Sequence, residues 1–523
     1  MIRYRMILTI LLACASIAGS GIAGKKPERM INLGVLEDKI RGGWAGQMIG
    51  VSYGAPTEFR SNGRINEAEL KWTPDMVANS IRQDDLYVEM TFAAVLDRDG
   101  LNATTAQFGE MFRNSKYSLW HANAAGRRLL NNGIHAPMSG HPRYNVHAND
   151  IDFQIESDFI GLMTPGLPQE ANRFCERAGR VMNYGDGLYG GMFFGGMYSA
   201  AFFETDVRRV VEQGAASIPA RSEYGKLIRD LLDWSARYPD DWRRTWQWIE
   251  EKWDRNDPCP DGAFDPFNID AKINGAYVAL GLLYGKGDFG RTLEIAARSG
   301  QDSDCNPSSA AGVLGVMLGY SGIPEVWKSG IPAIADMKFD YTDYSYQEIV
   351  KSTMDRALKV VQKAGGRLQV SELIVPFQEP KAPKLEQWDM GIPSRKIPAT
   401  DSAWIWQGDW ADERGRGSRA QLTGKATGVA GAVATLDFEG SAVILIGPYS
   451  QSGGKADVYL DGRKSGEINA WIPERTNDNA LWHAYGLKPG RHSLRLVTRP
   501  DADPRSKATR VEITAALIFK ARA

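Results

Sequence analysis

Two acidic clusters lie far apart in the chain: Gln83-Asp84-Asp85 and Gln301-Asp302-Ser303-Asp304-Cys305-Asn306. Carboxylates gathered in one place repel and raise one another's pKa, so they call for a compensating cation. If the clusters meet in the fold, a hard, oxygen-seeking ion such as Mg2+ is the natural partner, with Ca2+ or Mn2+ as alternatives. Residues at i and i+2 of a tight turn, as Asp302 and Asp304 are, can aim two carboxylates at one ion. Pro307, at a first helical position, opens a small-residue apolar run, and the N-terminus of that helix adds a positive dipole end. Taken alone, Asp84 and Asp85 equally suit the first turn of a helix, and Asn306 suits a helix cap.

The clusters need elements to bring them together. Over residues 36–364 apolar residues recur at three- and four-residue spacing, so a helical region is expected. Many of these helices are rich in Ala and Gly, which permits close helix approach. Residues 376–400 are polar and Pro-rich, as a linker would be. Beyond them the period switches to two, and Asp461-Gly462 reads as a hairpin turn. A β-sandwich over residues 401–523 follows from this pattern. The predicted fold class is therefore mainly α: a helical bundle over residues 30–375, followed by a C-terminal β-sandwich.

Three segments together resemble the ADP-ribosylglycohydrolase family. The first is Asp38-Lys39-Ile40-Arg41-Gly42-Gly43-Trp44-Ala45-Gly46-Gln47-Met48-Ile49-Gly50, running on through Gly54 to Glu58. It resembles the family's opening helix and its Gly-rich exit ending in a carboxylate. Asp84-Asp85 and Gly300-Gln301-Asp302-Ser303-Asp304-Cys305-Asn306 are similar to its two metal-binding motifs. The resemblance implies an all-α bundle that holds a pair of Mg2+ ions and cleaves a glycosidic bond to ribose. It assigns metal binding to Asp84, Asp85, Asp302 and Asp304, with Cys305 at a ligand position. Glu58, Asp85 and Asp302 become the catalytic candidates. Gln47, Gln83, Asn183, Tyr184, Asp186 and Asn306 become candidates for substrate contact. Physically, two metals about 4 Å apart can hold sugar hydroxyls and orient a water. An oxocarbenium-like state needs nearby negative charge and a positioned acid or base.

The chain departs from the family pattern at several of these positions. Gln47 replaces an Asp, Gln83 and Leu86 replace Thr, and Asn183-Tyr184 replace Thr-His. Cys305 stands where an oxygen donor is usual, and sulfur is a poor Mg2+ ligand. One or both metal sites are expected to be altered, together with the substrate.

The remaining features bound the function. With 523 residues, two domains are expected, and a net charge of −1 offers no basic patch for nucleic acid. Met1-Ile2-Arg3-Tyr4-Arg5, an apolar stretch and small residues up to Gly24 have the order of an export signal over residues 1–24. Cleavage near Gly24 and lipidation of Cys14 both remain open, the latter giving the one expected membrane attachment. The protein is expected to be periplasmic or secreted. Cys175, Cys259 and Cys305 then leave at least one free thiol. His121, His135, His141 and His147 fall in a stretch rich in Asn, Gly and Pro. Their spacing matches no standard zinc pattern, and a substrate-facing loop is expected. Asp150, Asp152 and Asp158 are further acids. Trp404, Trp406 and Trp410 are expected to pack rather than to stack on sugars.

The function expected from all this is an exported, metal-assisted glycoside hydrolase acting on a furanose-like sugar, with a carbohydrate or glycoside as its partner. An ADP-ribosyl hydrolase and a non-catalytic glycan binder on the same fold are the alternatives.

Overall fold

The computed structural model describes residues 27–255, 259–414, 422–476 and 478–522. The export signal and Cys14 lie outside the described residues. Among the described residues, no helix is long and apolar enough to cross a membrane.

The helical region is organised around three central helices: Asp186–Ala201 and Ala271–Gly285, almost entirely buried, and Cys305–Gly322, buried from Cys305 to Val316. Their sequences are apolar or small on every face, which is what a central helix requires. More amphipathic helices surround them. Tyr346–Lys363 is one, starting on a capping box in which Ser345 and Glu348 bond reciprocally, with Ile349, Ala357 and Val361 turned inward.

One helix pair sets the site. Gly42, Gly46, Gly50 and Gly54 recur every four residues and form a single stripe on the helix Leu33–Gly54. That stripe lies against the backbone of the helix Cys305–Gly322 and the loop before it. A Cβ on Gly46 would fall 2.1 Å from the Ala311 carbonyl oxygen, and one on Gly54 would fall 2.0 Å from that of Ser303. Only glycine allows this contact, and it draws the exit of the first helix up to the acidic loop.

A small antiparallel sheet closes the helical region. Glu28–Asn32 pairs with Glu372–Pro376, which pairs in turn with Arg367–Gln369. The residues that follow do not hang free. Gln169 binds Gln378 and the Glu379 carbonyl, and Asn172 binds the Lys381 carbonyl. Arg180 pairs with Glu386, and Trp388 Nε1 donates to Asn149. The expected linker is thus strapped to the helices, and its last third is not linker at all. Ile392–Pro398 is a strand paired with Ala515–Lys520.

The C-terminal region is a β-sandwich of antiparallel sheets. Its four-stranded sheet runs Asp478–Ala484, Ala442–Pro448, Ala515–Lys520, Ile392–Pro398. Its five-stranded sheet runs Arg463–Asn469, Gly454–Leu460, Gly490–Ala502, Val433–Gly440, Trp404–Gln407. Val443, Leu445, Ala516 and Ile518 point into the core between sheets, with Leu436, Val458 and Leu496. The alternate residues Ala442, Ile444, Leu517 and Phe519 pack outward against Val146, Ala263 and Met390. This is why the 442–446 run is continuously apolar: the strand is covered on both faces. Two polar contacts join the same interface. His483 Nε2 lies 2.6 Å from the Pro142 carbonyl oxygen, and the Arg128 guanidinium sits 4.2 Å over the Tyr449 ring. Trp404 is buried, with Trp406 stacked on it at 5.2 Å, in keeping with a packing role.

Candidate active site

Asp84 and Asp85 occupy the first turn of the helix Asp84–Asp99, directly after a 3-10 segment, Pro74–Arg82. Gln83 holds the cap position with extended backbone, but its side chain makes no capping bond. Asp302 and Asp304 lie in the loop that enters the helix Cys305–Gly322. Two left-handed residues shape that loop, Gly300 (φ 85°) and Gln301 (φ 55°). The Gln301 side chain secures the second by accepting from the Asn268 amide and donating to the Pro266 carbonyl, both at 2.8 Å. Glu58 is fixed over the loop from both sides. Thr57 Oγ1 meets Ser303 Oγ at 2.8 Å, and the Phe59 amide donates to the Gln301 carbonyl at 3.1 Å.

The two acidic clusters therefore meet. The carboxylate oxygens of Asp302 and Asp304 and the Cys305 sulfur lie within 4.8 Å of one another. The Cys305 thiol donates to Asp85 Oδ1 at 2.8 Å and so bridges the clusters directly. Burial, then the neighbouring Asp304, pushes Asp85 and Asp302 well above the usual carboxylate range. Burial, then Asp304, takes Asp84 up to about 6. Glu58, at the rim, is raised to about 7 by burial of its carboxyl, then by Asp304 and Asp84. Cys305 is pushed up by burial and then by Asp302, so it stands as a neutral thiol.

The residues fit a hard divalent cation. Asp85 Oδ2 and Asp304 Oδ1 are buried without a hydrogen-bond partner, which is costly unless a charge compensates them. Their strongest electrostatic neighbours are other carboxylates, and two helix N-termini converge on them. Asp84, Asp85, Asp302 and Asp304 supply oxygens only, as Mg2+, Ca2+ or Mn2+ prefer. Cys305 joins this set: its sulfur lies within 4.8 Å of the Asp302 and Asp304 oxygens, and its thiol donates to Asp85, although sulfur is a poor partner for a hard cation.

The structure brings further buried polar residues around the pocket, of which only Asp158 was singled out along the sequence. Glu89, one turn beyond Asp85 on the same helix, is buried and accepts the Phe159 amide at 2.7 Å. Asp158 accepts Tyr198 Oη at 3.0 Å and Ser309 Oγ at 3.2 Å. Glu156 is buried and raised by burial, then by Asp152, with Asp84 and Asp85 adding to it. Asn274 Oδ1 accepts from Asn306 Nδ2 at 2.9 Å and from the Asp302 amide at 3.3 Å, fixing the acidic loop from below. The i, i+4 spacing of Asp85 and Glu89 was a readable signal; the others depend on tertiary contacts.

The expected substrate-contact residues sit in different surroundings. Gln47 is fully buried one turn before Gly50, its side-chain amide without a partner. Asn183 spends its amide on backbone, donating to the Ala148 and Asp150 carbonyls and accepting from the Phe153 amide. It is a brace, not a substrate contact. Tyr184 packs against His141 at 4.9 Å and under Arg180, and Asp186 accepts the Tyr224 amide at 3.2 Å. In the structure these two residues make packing and capping contacts. Cys175, Cys259 and Cys305 are all buried free thiols.

The glycine stripe of the first helix thus seats an acidic loop against a second carboxylate pair inside a helical bundle. The family model for ADP-ribosylglycohydrolase matches residues 33–363, and the chain belongs to that family. Two curated proteins of Flavonifractor plautii are similar over shorter stretches. An A type blood N-acetyl-alpha-D-galactosamine deacetylase is 28% identical over 163 residues, 31% of this chain and 20% of that protein. An A type blood alpha-D-galactosamine galactosaminidase is 34% identical over 102 residues, 20% of this chain and 9% of that protein. The matches thus span a fifth or less of either relative's length. A solved ADP-ribosylglycohydrolase-related protein complex aligns over 62% of this chain and 98% of its own, at 14% identity and a TM-score of 0.42.

Proposed function

We propose that the chain is a metal-assisted glycoside hydrolase, exported to act on a carbohydrate, with a furanose-like sugar favoured by analogy with the family's ribose. The observation that carries the reading is the meeting of Asp84 and Asp85 with Asp302 and Asp304, bridged by the Cys305 thiol, with Glu58 close enough for Asp304 and Asp84 to raise its pKa. These four carboxylates would hold a divalent cation. When bound, such an ion supplies orientation of sugar hydroxyls and activation of water. Glu58, with a pKa near 7, is suited to gain and lose a proton at neutral pH. The ring of negative charge favours the oxocarbenium-like character that develops at the anomeric carbon. Asp158 and Glu89, buried beneath, hold the helices that present the acids.

The β-sandwich resembles accessory domains of secreted carbohydrate-active enzymes, and the signal-like N-terminus supports export. The sugar-processing names of the two curated relatives agree with a carbohydrate substrate. A panel of nitrophenyl furanosides and pyranosides, run beside ADP-ribosylated peptide, tests the reading. Release from one or more glycosides supports it. Turnover of the peptide alone would make the chain an ADP-ribosyl hydrolase, and no turnover of any substrate would favour a glycan binder.

A further inference from the structure

A second group of ligating side chains lies outside the acidic pocket. His121, His147 and Asp261 each offer one ligand atom, all within 4.8 Å of one another. His121 Nδ1 lies 2.8 Å from Asp261 Oδ2, and His147 Nε2 lies 3.9 Å from Asp261 Oδ1. The three come from separate parts of the chain: the start of the helix His121–Asn131, the loop after it, and the 259–262 turn. We propose that they form a metal site for a borderline first-row cation, Zn2+ above all, distinct from the oxygen-only site of the acids.

Four observations carry this. The ligand set is mixed imidazole and carboxylate, which suits Zn2+ and disfavours Mg2+. His147 also has the outer partner that ligating histidines usually have. Its Nδ1 is 2.8 Å from Asp150 Oδ2, so the ring presents Nε2 to Asp261. Asp150 is fully buried and paired with His147, and its second oxygen has no hydrogen-bond partner, so the acid that orients the ring is held in place with acceptor capacity unused. Finally, each ligand is braced. Asp152 accepts the Ala122 and Asn123 amides, at 3.1 and 2.9 Å, beside His121. The Cys259 sulfur accepts the Gly262 and Ile269 amides, at 3.2 and 3.4 Å, on either side of the Asp261 turn.

The site is also reachable. The Asp261 side chain is 38% exposed and that of His121 18%, against 4% for His147. Three protein ligands leave room for a fourth from solvent, the pattern of zinc sites that are not purely structural.

The test uses the full, untagged chain, stripped of metal and titrated with Zn2+ against a chromophoric chelator in excess Mg2+. The proposal expects one equivalent of Zn2+ to bind despite the Mg2+. Substitutions His147→Gln and Asp261→Asn should each weaken it at least about tenfold. Asp302→Asn should leave it unchanged while abolishing Mg2+ binding at the acids, so the two sites fail independently. Co2+ in place of Zn2+ should give visible absorption bands that vanish in Asp261→Asn, whose exposed position spares the fold if His147→Gln does not fold. No Zn2+ uptake by the wild-type chain, undiminished uptake by both variants, or loss of uptake in a folded Asp302→Asn would overturn the proposal.

Discussion

The Cys305 thiol donates to the Asp85 carboxylate at 2.8 Å, across the gap between the two acidic motifs. An oxygen at this position could donate the same hydrogen bond and still offer a lone pair to a hard cation. Cys305→Ser should therefore tighten Mg2+ binding, on the order of tenfold or about 1.4 kcal/mol. Calorimetric titration of the two chains checks this, and equal or weaker binding by the serine variant would refute the assignment.

Like-charge crowding makes the acids costly to the chain without metal. Asp84 is held up at about 6 by burial and then by Asp304. Asp84→Asn should raise the stability of the metal-free protein at pH 7 by on the order of 1–3 kcal/mol. The same change should lower hydrolysis at least about a hundredfold, since stability and function oppose each other at such a site. Denaturant unfolding in chelator, beside the activity assay, reads both effects.

The glycine stripe has no slack. A Cβ on Gly50 would lie 2.2 Å from the Pro307 carbonyl oxygen, at the start of the helix behind the acidic loop. Gly50→Ala should cost at least about 2 kcal/mol and displace that loop. Thermal melting should show the loss, and Mg2+ should rescue less stability in the variant than in the wild type.

The interface between the helices and the sandwich should weaken in acid. His483 donates to the Pro142 carbonyl, and burial holds its pKa down at about 4. Nearby titratable groups are His147, whose charge acts in the same direction, and Tyr485, stacked at 6.2 Å. The folded pKa lies below the ordinary 6.5, so the unfolded chain binds more protons between the two values. His483 thus contributes stability that is present above pH 6.5 and lost as pH falls toward 4, at up to about 1.4 kcal/mol per pH unit. Unfolding curves at pH 7, 6 and 5 should show the wild type losing its advantage over His483→Gln. Parallel pH profiles would contradict the role.

Much of this architecture was legible along the chain. The acids, the glycines four residues apart and the switch of period near residue 400 are local patterns, and each marks an element correctly. What escaped depends on contacts between distant segments. The strand Ile392–Pro398 reads as linker because Pro393 and Pro398 interrupt it, and it tolerates them because it lies at a sheet edge. Asn183 looks like a sugar contact in sequence, but three backbone groups consume its amide. Asp261 and His121 are 140 residues apart, so only the fold shows them as partners.

The central claim is that Asp84, Asp85, Asp302 and Asp304 hold a divalent cation that a glycoside hydrolase needs. Its most direct measurement is release of nitrophenol from the best glycoside in the panel, by wild type and Asp302→Asn, with chelator and after Mg2+ is restored. The account predicts turnover by the wild type that chelation abolishes and Mg2+ recovers, and at least about a hundredfold less from the variant under every condition. Wild-type turnover that persists through chelation, or full activity in Asp302→Asn, would contradict it.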